Sequence, residues 1–361
     1  MSVMSWSDKP YNEIPFCEPM MEKEEADAVW YQVMSGWIGP GERVEEFEAA
    51  LAGYVKAKHV ICTTSGTVAL QLAARALFWG QEEPLPWVIA PAYGVASVGN
   101  AFWWADFQVL YADIDKGTGR MRPDEVERLV DEYSDMGCMV CFVDFSGGMG
   151  EDLTEIRGIC DEYKAPLIED ACCAMGHWFM DYHAGNWGNA GVLSFSVPKV
   201  LTTGQGGAVV TNDDGVAEKV RDYINHGRHT GEGSGSNLRL TDIQAALGLS
   251  QLTRMGEILE CKRLAHRGIR RKLGKYLFST DSGTPLHNIV FSETPELLVE
   301  RLKEYGVNAK RQYQCWDSMA VSSQRWYLTA VYLPFGLRMN EEDGEYIGEA
   351  VLRTGVELVQ P

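Results

Sequence analysis

The chain has 361 residues, of which 45% are hydrophobic and 23% charged, and its formal net charge is −19. This length accommodates two domains, or one large core with a smaller appendage. The negative charge argues against nucleic acid and against an anionic membrane surface as the main partner. It does not exclude an anionic small substrate, because a few local basic groups can outweigh a distant surface charge.

The cysteines and the N-terminal residues both bear on where the chain works. Nine cysteines, an odd number, are scattered along the sequence, which fits a reducing cytosol better than a disulfide scaffold. The first residues, MSVMSWSDKPYNEIPF, show no basic region followed by an apolar stretch, so no signal peptide is predicted. The longest apolar runs are too short to span a membrane. We therefore expect a cytoplasmic protein with no membrane partner.

Apolar periodicity predicts alternating helices and strands through roughly the first two thirds of the chain. Helices are predicted at 22–34, 43–55, 68–78, 94–103, 123–134, 152–163 and 216–226, and strands at 59–63, 87–90, 109–114, 138–145, 166–170, 191–196 and 207–211. This βαβ rhythm predicts an α/β fold with a mostly parallel sheet covered by helices.

The remainder of the chain begins with a Gly- and Ser-rich stretch, Thr230–Asn237, which is predicted to be a loop. The elements predicted after it are a long helical stretch from 240 to about 274, a strand at 287–292 and helices at 295–304 and 341–353. We place a domain boundary near 245–260, which gives a large domain at 1–250 and a small C-terminal domain at 251–361.

Three features in the middle of the chain match what an enzyme needs to hold pyridoxal phosphate (PLP). The strand-like run APLIED ends at Asp170, the run GVLSFS contains Ser194, and Lys199 precedes the turn TTGQGG. A lysine amine can form a Schiff base with the PLP aldehyde. A carboxylate can pair with the protonated pyridine nitrogen, and hydroxyl and backbone N–H groups can hold the phosphate.

Each feature also has an ordinary structural explanation. The sequence Ser65-Gly66-Thr67 lies between a strand and a helix, where it suits a phosphate but also an N-cap. Asp170 could cap the helix that follows it, and the glycines after Lys199 could form a plain turn. Lysine between Pro198 and an apolar residue is not an obvious solvated position. The order of all these features along one chain is more specific than any one of them.

That order resembles the DegT/StrS-like nucleotide-sugar aminotransferases, a branch of the fold type I PLP enzymes. The resemblance covers nearly the whole chain and rests on SGWIGPGERVEEFEAALAGY, TSGTVALQLAARAL, APAY, IEDACCAMG, LSFSVPKVLTTGQGGAVVTND, NHG and NLRLTDIQAALGLSQL. It implies a large α/β domain, with a mostly parallel seven-stranded-type sheet between helices, and a smaller C-terminal α+β domain. It also implies a homodimer with shared active sites.

The resemblance implies a role for particular residues. Lys199 would be the Schiff-base lysine and proton shuttle, and Asp170 would hold the pyridine nitrogen. The phosphate would be bound by Gly66, Thr67 and Ser194, and by Asn237 of the neighbouring subunit. Trp37, in the SGW motif, would line the substrate pocket, and Lys310 and Arg311 in AKRQYQCWDSM are candidate anion contacts for the substrate.

The chain departs from the family pattern at three places. The family usually has a Gln that contacts the cofactor's ring oxygen where this chain has Cys173, and cysteine is a weak hydrogen-bond partner. A Thr and a ring-stacking aromatic residue are usual where this chain has Gly94 and Val95, and Tyr93 is the candidate replacement. The usual Gly-Glu-Gly-Gly carries Gln205 in place of Glu.

The resemblance implies a PLP-dependent aminotransferase with ping-pong chemistry. Glutamate or glutamine would donate the amino group, and a nucleotide-linked 4-keto-6-deoxy sugar would receive it. Lys199 argues against the family's dehydratase branch, in which histidine replaces the lysine. Two alternatives stay open: an acceptor that is a ketocyclitol or another keto compound, and a PLP-binding regulatory or scaffolding protein with weak catalysis. No metal site is predicted, because no His or Cys spacing suits one.

Overall fold

The computed structural model describes residues 13–78, 86–228, 235–280 and 285–360. The N-terminal residues before 13 and most of the predicted loop Thr230–Asn237, residues 230–234, lie outside the described part. No helix within the described residues has both the length and the apolar character needed to cross a membrane.

The helices agree closely with the predicted ones through most of the described chain. They are α1 (Lys23–Met34), α2 (Glu42–Val55), α3 (Gly66–Leu77), α4 (Ala96–Trp104), α5 (Pro123–Tyr133), α6 (Glu151–Tyr163), α7 (Asp214–Tyr223), α8 (Asp242–Thr253), α9 (Met255–Leu273), α10 (Pro295–Glu304), α11 (Val321–Thr329) and α12 (Glu341–Arg353). The sequence patterns did not predict α11.

The strands alternate with these helices. They are β1 (His59–Thr63), β2 (Trp87–Pro91), β3 (Tyr93–Gly94), β4 (Gln108–Ala112), β5 (Cys138–Val143), β6 (Leu167–Asp170), β7 (Trp178–Phe179), β8 (Tyr182–His183), β9 (Ala190–Ser194), β10 (Gly207–Thr211), β11 (Asn288–Phe291), β12 (Gln314–Cys315) and β13 (Ala330–Leu333). The short strands β3, β7, β8 and β12 and the strand β13 were not predicted.

Within the described residues, seven strands form the central sheet in the order β1-β10-β9-β6-β5-β2-β4. The run from β9 to β4 is parallel, and β10 is antiparallel to both of its neighbours. The predicted mostly parallel α/β sheet is therefore confirmed. Because the carboxyl ends of parallel strands meet at one edge, Asp170 at the end of β6 and Ser194 at the end of β9 lie on the same side of the sheet.

Both faces of the sheet are buried, as expected for a parallel sheet covered by helices. Alternation along β5 shows this directly. Cys138, Val140 and Phe142 belong to the apolar cluster on one face, whereas Met139 and Cys141 belong to the cluster on the other. Cys138 and Cys141 therefore lie on opposite faces of the sheet.

The predicted long helix after residue 240 is two helices, α8 and α9. The break lies at Arg254, whose backbone leaves the helical region at φ −103° and ψ 8°. The Arg254 guanidinium donates to both carboxylate oxygens of Glu25 on α1, at 3.0 and 2.8 Å. This partly buried ion pair, in which one guanidinium nitrogen reaches both carboxylate oxygens, ties the break to the N-terminal helix.

The C-terminal part has its own apolar cluster, built from α9, α10, α12 and the antiparallel pair β11–β13. Helices α9 and α12 pack with their backbones in contact. A Cβ on Gly268 would lie 2.1 Å from the carbonyl oxygen of Glu341, and one on Gly344 would lie 2.1 Å from that of Ala265. Ile14, from the other end of the chain, also belongs to this cluster. The domain boundary near residue 250 stays a prediction.

Candidate active site

A cavity of about 320 Å³ opens at the carboxyl ends of the central strands. Its walls come from the start of α3, the ends of β6 and β9, the turn that carries Lys199, and the segment 312–316. Of the residues predicted for cofactor binding, the structure brings Gly66, Thr67, Asp170, Cys173, Ser194 and Lys199 together around this cavity.

The start of α3 forms a cradle for an anionic group. Ser65 is the N-cap, and its side-chain oxygen accepts a hydrogen bond from the Val68 N–H at 3.2 Å. A Cβ on Gly66 would lie 2.9 Å from Cβ of Ser194 and 3.1 Å from Sγ of Cys172. The first backbone N–H groups of a helix have no helical carbonyl to bind. They, with the nearby hydroxyls, suit a phosphate group.

A second glycine, Gly207, allows strand β10 to pack directly behind this cradle. A Cβ on Gly207, the first residue of β10, would lie 2.4 Å from the backbone nitrogen of Gly66. Strand β10 can approach the helix start this closely only because Gly207 lacks a side chain. Gly207, the last glycine of the run after Lys199, therefore serves the packing of β10 against α3.

Asp170 presents a buried carboxylate to the cavity. It is the last residue of β6 and is only 4% exposed. Its Oδ1 accepts a hydrogen bond from the Cys172 N–H at 3.0 Å. A carboxylate this well buried needs a positive partner, and the protonated ring nitrogen of PLP is a partner of the right charge.

Lys199 lines the same cavity, on the turn that follows β9. Its Nζ lies 3.2 Å from Sγ of Cys173. Burial lowers the pKa of the Lys199 ammonium, but electrostatic interactions with Cys173, Cys172 and Asp170 and a hydrogen bond to Cys173 raise it, and the net result is a pKa above the ordinary lysine value. An amine, a buried carboxylate and a phosphate cradle thus surround one cavity, and these residues fit PLP.

The comparisons with known proteins place this chain in a family. The profile of the DegT/DnrJ/EryC1/StrS aminotransferase family matches residues 19–352. The chain belongs to this family. It is a PLP-dependent aminotransferase, as the sequence resemblance implied.

Individual relatives of this aminotransferase cover different shares of it. It is 31% identical over 260 residues to the spore coat polysaccharide biosynthesis protein SpsC of Bacillus subtilis. The aligned region covers 68% of this chain and 65% of SpsC. It is 27% identical over 372 residues to the UDP-4-amino-4,6-dideoxy-N-acetyl-β-L-altrosamine transaminase of Helicobacter pylori, covering 95% of this chain and 98% of that protein.

The fold of the aminotransferase also matches solved structures. The structure of Helicobacter pylori PseC, an aminotransferase involved in the biosynthesis of pseudoaminic acid, superposes with a TM-score of 0.86 at 25% identity. The superposition covers 95% of this chain and 99% of PseC. The agreement therefore extends over the C-terminal part as well as the central sheet.

Tyr93 is not among the described residues that line the cavity, although its neighbours Gly94 and Val95 are. Its side chain is 2% exposed, and its hydroxyl lies 2.8 Å from that of Tyr332. The two residues of strand β3 face opposite sides. Gly94 faces the cavity, and Tyr93 lies in the aromatic cluster behind it. The structure thus corrects the suggestion that Tyr93 replaces the ring-stacking residue.

Four other predicted residues lie outside the set of described cavity-lining residues. Trp37 is 62% exposed, and exposed Asn237 accepts a hydrogen bond from Arg239 at 3.1 Å. Arg311 forms an ion pair with Glu296, and the ammonium of Lys310 lies 4.9 Å from the ring centre of Phe16. Lys310 and Arg311 therefore interact with residues that do not line the cavity. The roles of Trp37 and Asn237 in a neighbouring subunit's site stay predictions.

The C-terminal segment nevertheless reaches the cavity, through residues that the sequence did not single out. Gln312, Tyr313 and Trp316 line it, because β12 pairs with β3 beside the cavity wall. The hydroxyl of Tyr313 lies 3.2 Å from Nε2 of His287. Burial, together with the charges of two lysines, lowers the pKa of His287 well below its usual range, so the imidazole is neutral.

A second buried lysine, Lys262 on α9, lies behind the cavity wall. It is 5% exposed, and its ammonium donates to the carbonyl oxygen of Leu286. Burial lowers its pKa to about 7, against the opposing electrostatic influence of the nearby Cys17 and Cys173 side chains. No sequence signal distinguishes this lysine from the solvated ones in the same helix.

Proposed function

We propose that this aminotransferase moves an amino group from glutamate or glutamine to a nucleotide-linked 4-keto-6-deoxy sugar by a ping-pong mechanism. The observation that carries the proposal is the grouping of Lys199, Asp170 and the Gly66 cradle around one cavity. The sugar is proposed because a relative aligned over nearly the full chain is named for a UDP-linked 4-amino-4,6-dideoxy sugar.

Each side chain has a defined task in this proposal. PLP, when bound, supplies an electron sink for the carbon that loses its proton. Lys199 Nζ holds the cofactor and then carries a proton to and from the substrate carbon. Asp170 keeps the pyridine nitrogen charged, and the N–H groups at the start of α3 orient the phosphate. The rings of Tyr313 and Trp316 give the cavity an apolar wall that excludes water.

A homodimer with shared active sites is part of the proposal. Among the described residues that line the cavity, Lys199 is the one Lys or Arg side chain. An amino acid donor and a nucleotide-linked acceptor both carry negative charges that need further cationic or N–H partners. A neighbouring subunit would supply them, with Asn237 reaching the phosphate and Trp37 lining the substrate pocket, as the resemblance implies.

The alternatives are a different keto acceptor, such as a ketocyclitol, and a PLP-binding protein that is regulatory and catalytically weak. The second is motivated by Cys173, which stands beside Lys199 where the family usually has Gln. The intact lysine, carboxylate and phosphate cradle favour catalysis over a scaffolding role. The cytoplasmic location stays a prediction.

The test is amino transfer in vitro. The full chain is incubated with PLP, L-glutamate and either a UDP-, GDP- or TDP-linked 4-keto-6-deoxy hexose or a ketocyclitol. The proposal expects 2-oxoglutarate and an amino sugar, detected by mass, with the sugar nucleotides and not with the cyclitol. Lys199→Ala is the matched control. Amine formation on the cyclitol alone would replace the proposed acceptor, and none with any acceptor would favour the scaffolding alternative.

A further inference from the structure

The contact between Cys173 and Lys199 has no task in the proposed amino transfer. Sγ of Cys173 lies 3.2 Å from Nζ of Lys199, and both side chains line the cavity. Lys262, the second buried lysine, also acts electrostatically on Cys173 from behind the wall. A cysteine beside a lysine amine, open to a cavity, is the kind that reacts with oxidants.

We propose that Cys173 and Lys199 form a reversible oxidation site. A hydroperoxide oxidises the pair, and an S–N bond then joins the two side chains directly. In the first step the Cys173 sulfur attacks hydrogen peroxide, the O–O bond breaks, and a sulfenic acid and one water form. In the second step Lys199 Nζ attacks the sulfenic sulfur. The S–O bond breaks, an S–N bond forms, and the nitrogen's proton leaves with the hydroxyl as a second water.

The electrostatics of the pair favour the second step once the first has occurred. Burial lowers the pKa of Lys199, and the electrostatic interaction with Cys173 is the largest influence that raises it. A sulfenic acid is uncharged in the form that is attacked, so it does not raise the pKa of the neighbouring amine as a thiolate would. The amine then shifts toward its neutral form, which is the nucleophilic one. The flexible lysine stem allows Nζ to close the remaining distance.

The S–N bond and the attachment of PLP use the same lysine nitrogen and therefore exclude each other. Bound PLP is expected to protect the pair from oxidation, and the oxidised pair is not expected to bind PLP. This consequence rests on the proposed role of Lys199, whereas formation of the bond does not. Two equivalents of a thiol reverse the reaction, because they reduce the sulfur, release the amine and leave as a disulfide.

Tryptic digestion distinguishes this product from other oxidised forms. Cys172, Cys173 and Lys199 lie in one tryptic peptide, 165–199, because the sequence has no Lys or Arg between Lys164 and Lys199. Trypsin does not cleave after a modified lysine. The S–N product therefore gives peptide 165–219, lighter by two hydrogen atoms, whereas a Cys172–Cys173 disulfide gives peptide 165–199 with the same loss.

The experiment treats the full chain with hydrogen peroxide, with and without PLP, and maps the tryptic peptides by mass. We expect peptide 165–219 with the loss of two hydrogens, its suppression by PLP, and its return to 165–199 after dithiothreitol. Cys172→Ala should retain this product and Cys173→Ala should lose it. Chain unfolded in urea before oxidation is the second control, and it should not form the link. A disulfide, a sulfinic acid at Cys173 without the link, or unmodified peptide would each overturn the proposal.

Discussion

The hydroxyl groups of Tyr93 and Tyr332 lie 2.8 Å apart inside an aromatic cluster, although the two residues are 239 positions apart in the sequence. Tyr93 belongs to β3, beside the cavity wall, and Tyr332 to β13 of the C-terminal part. Trp326 packs against Tyr93 with its ring centre 5.6 Å away. This buried pair joins the wall of the active site to the C-terminal sheet.

Tyr93→Phe tests whether this residue is structural. The change leaves the buried Tyr332 hydroxyl without its partner, which we expect to lower the free energy of unfolding by about 1–3 kcal/mol. PLP affinity should stay within about twofold, because Tyr93 does not face the cavity. Urea unfolding and PLP titration measure the two quantities. Tyr332→Phe is the matched control, and a large loss of PLP affinity in Tyr93→Phe alone would contradict this placement.

Gly66→Ala tests the phosphate cradle. The added methyl group would lie 2.9 Å from Cβ of Ser194, where neither backbone can yield easily. We expect PLP affinity to fall by roughly tenfold or more, in line with the loss of one or two charge-assisted hydrogen bonds. Fluorescence titration with PLP is the measurement.

Gly158→Ala is the control for this substitution. Gly158 is an exposed residue of α6, and a Cβ there would meet no atom within 4 Å. Alanine should raise helix stability by up to about 1 kcal/mol and leave PLP binding unchanged. Equal effects of the two substitutions on affinity would show that Gly66 has no special role.

Lys262→Met tests the buried lysine through the pH dependence of stability. The folded-state pKa of about 7 is below the ordinary lysine value, so the unfolded chain binds the extra proton between these two pH values. The stability contributed by this group therefore rises with pH above 7 and is at its minimum below 7. Removing the amine should stabilise the protein most at pH 6, by an amount on the order of a few kcal/mol.

Urea unfolding of the wild type and Lys262→Met at pH 6 and pH 8.5 gives this comparison. The stability difference between the two proteins should shrink as the pH rises. Lys303→Met, at an exposed position of α10, should show little change at either pH. A Lys262→Met variant that is less stable than the wild type at pH 6 would mean that its hydrogen bond to Leu286 outweighs the cost of burying the charge.

The sequence predicts the cofactor half of the site better than the substrate half. Asp170 and Ser194 follow buried strands, and parallel strands bring their carboxyl ends to one edge, so their proximity follows from the strand pattern. Gln312 and Tyr313 come from a segment without clear periodicity. They reach the cavity through a two-residue pairing of β12 with β3, and such a long-range contact leaves no local signal.

The sequence patterns also did not predict which way single side chains point in short elements. Tyr93 lies in a strand of two residues, where alternation gives no reliable choice of face until its partner strand is known. Lys262 is one of several basic residues on α9, and only the packing of that helix against the segment near Leu286 buries it. In both cases tertiary contacts decide what the local pattern leaves open.

Lys199→Ala tests the lysine itself. We expect the variant to lose amino transfer by about 10³-fold or more, because no other amine on the described cavity wall can replace the proton shuttle. Size-exclusion chromatography should show the same oligomeric state as for the wild type. Loss of the assembly together with activity would indicate a structural role, and wild-type turnover would refute the assignment of Lys199.

The most direct test of the account is the absorbance spectrum of the purified chain with PLP, before and after L-glutamate is added. The account predicts a visible band that depends on Lys199, is absent in Lys199→Ala, and is bleached by glutamate. A band that glutamate leaves unchanged would contradict the proposed donor. The absence of any Lys199-dependent band would contradict the central claim that this lysine holds the cofactor.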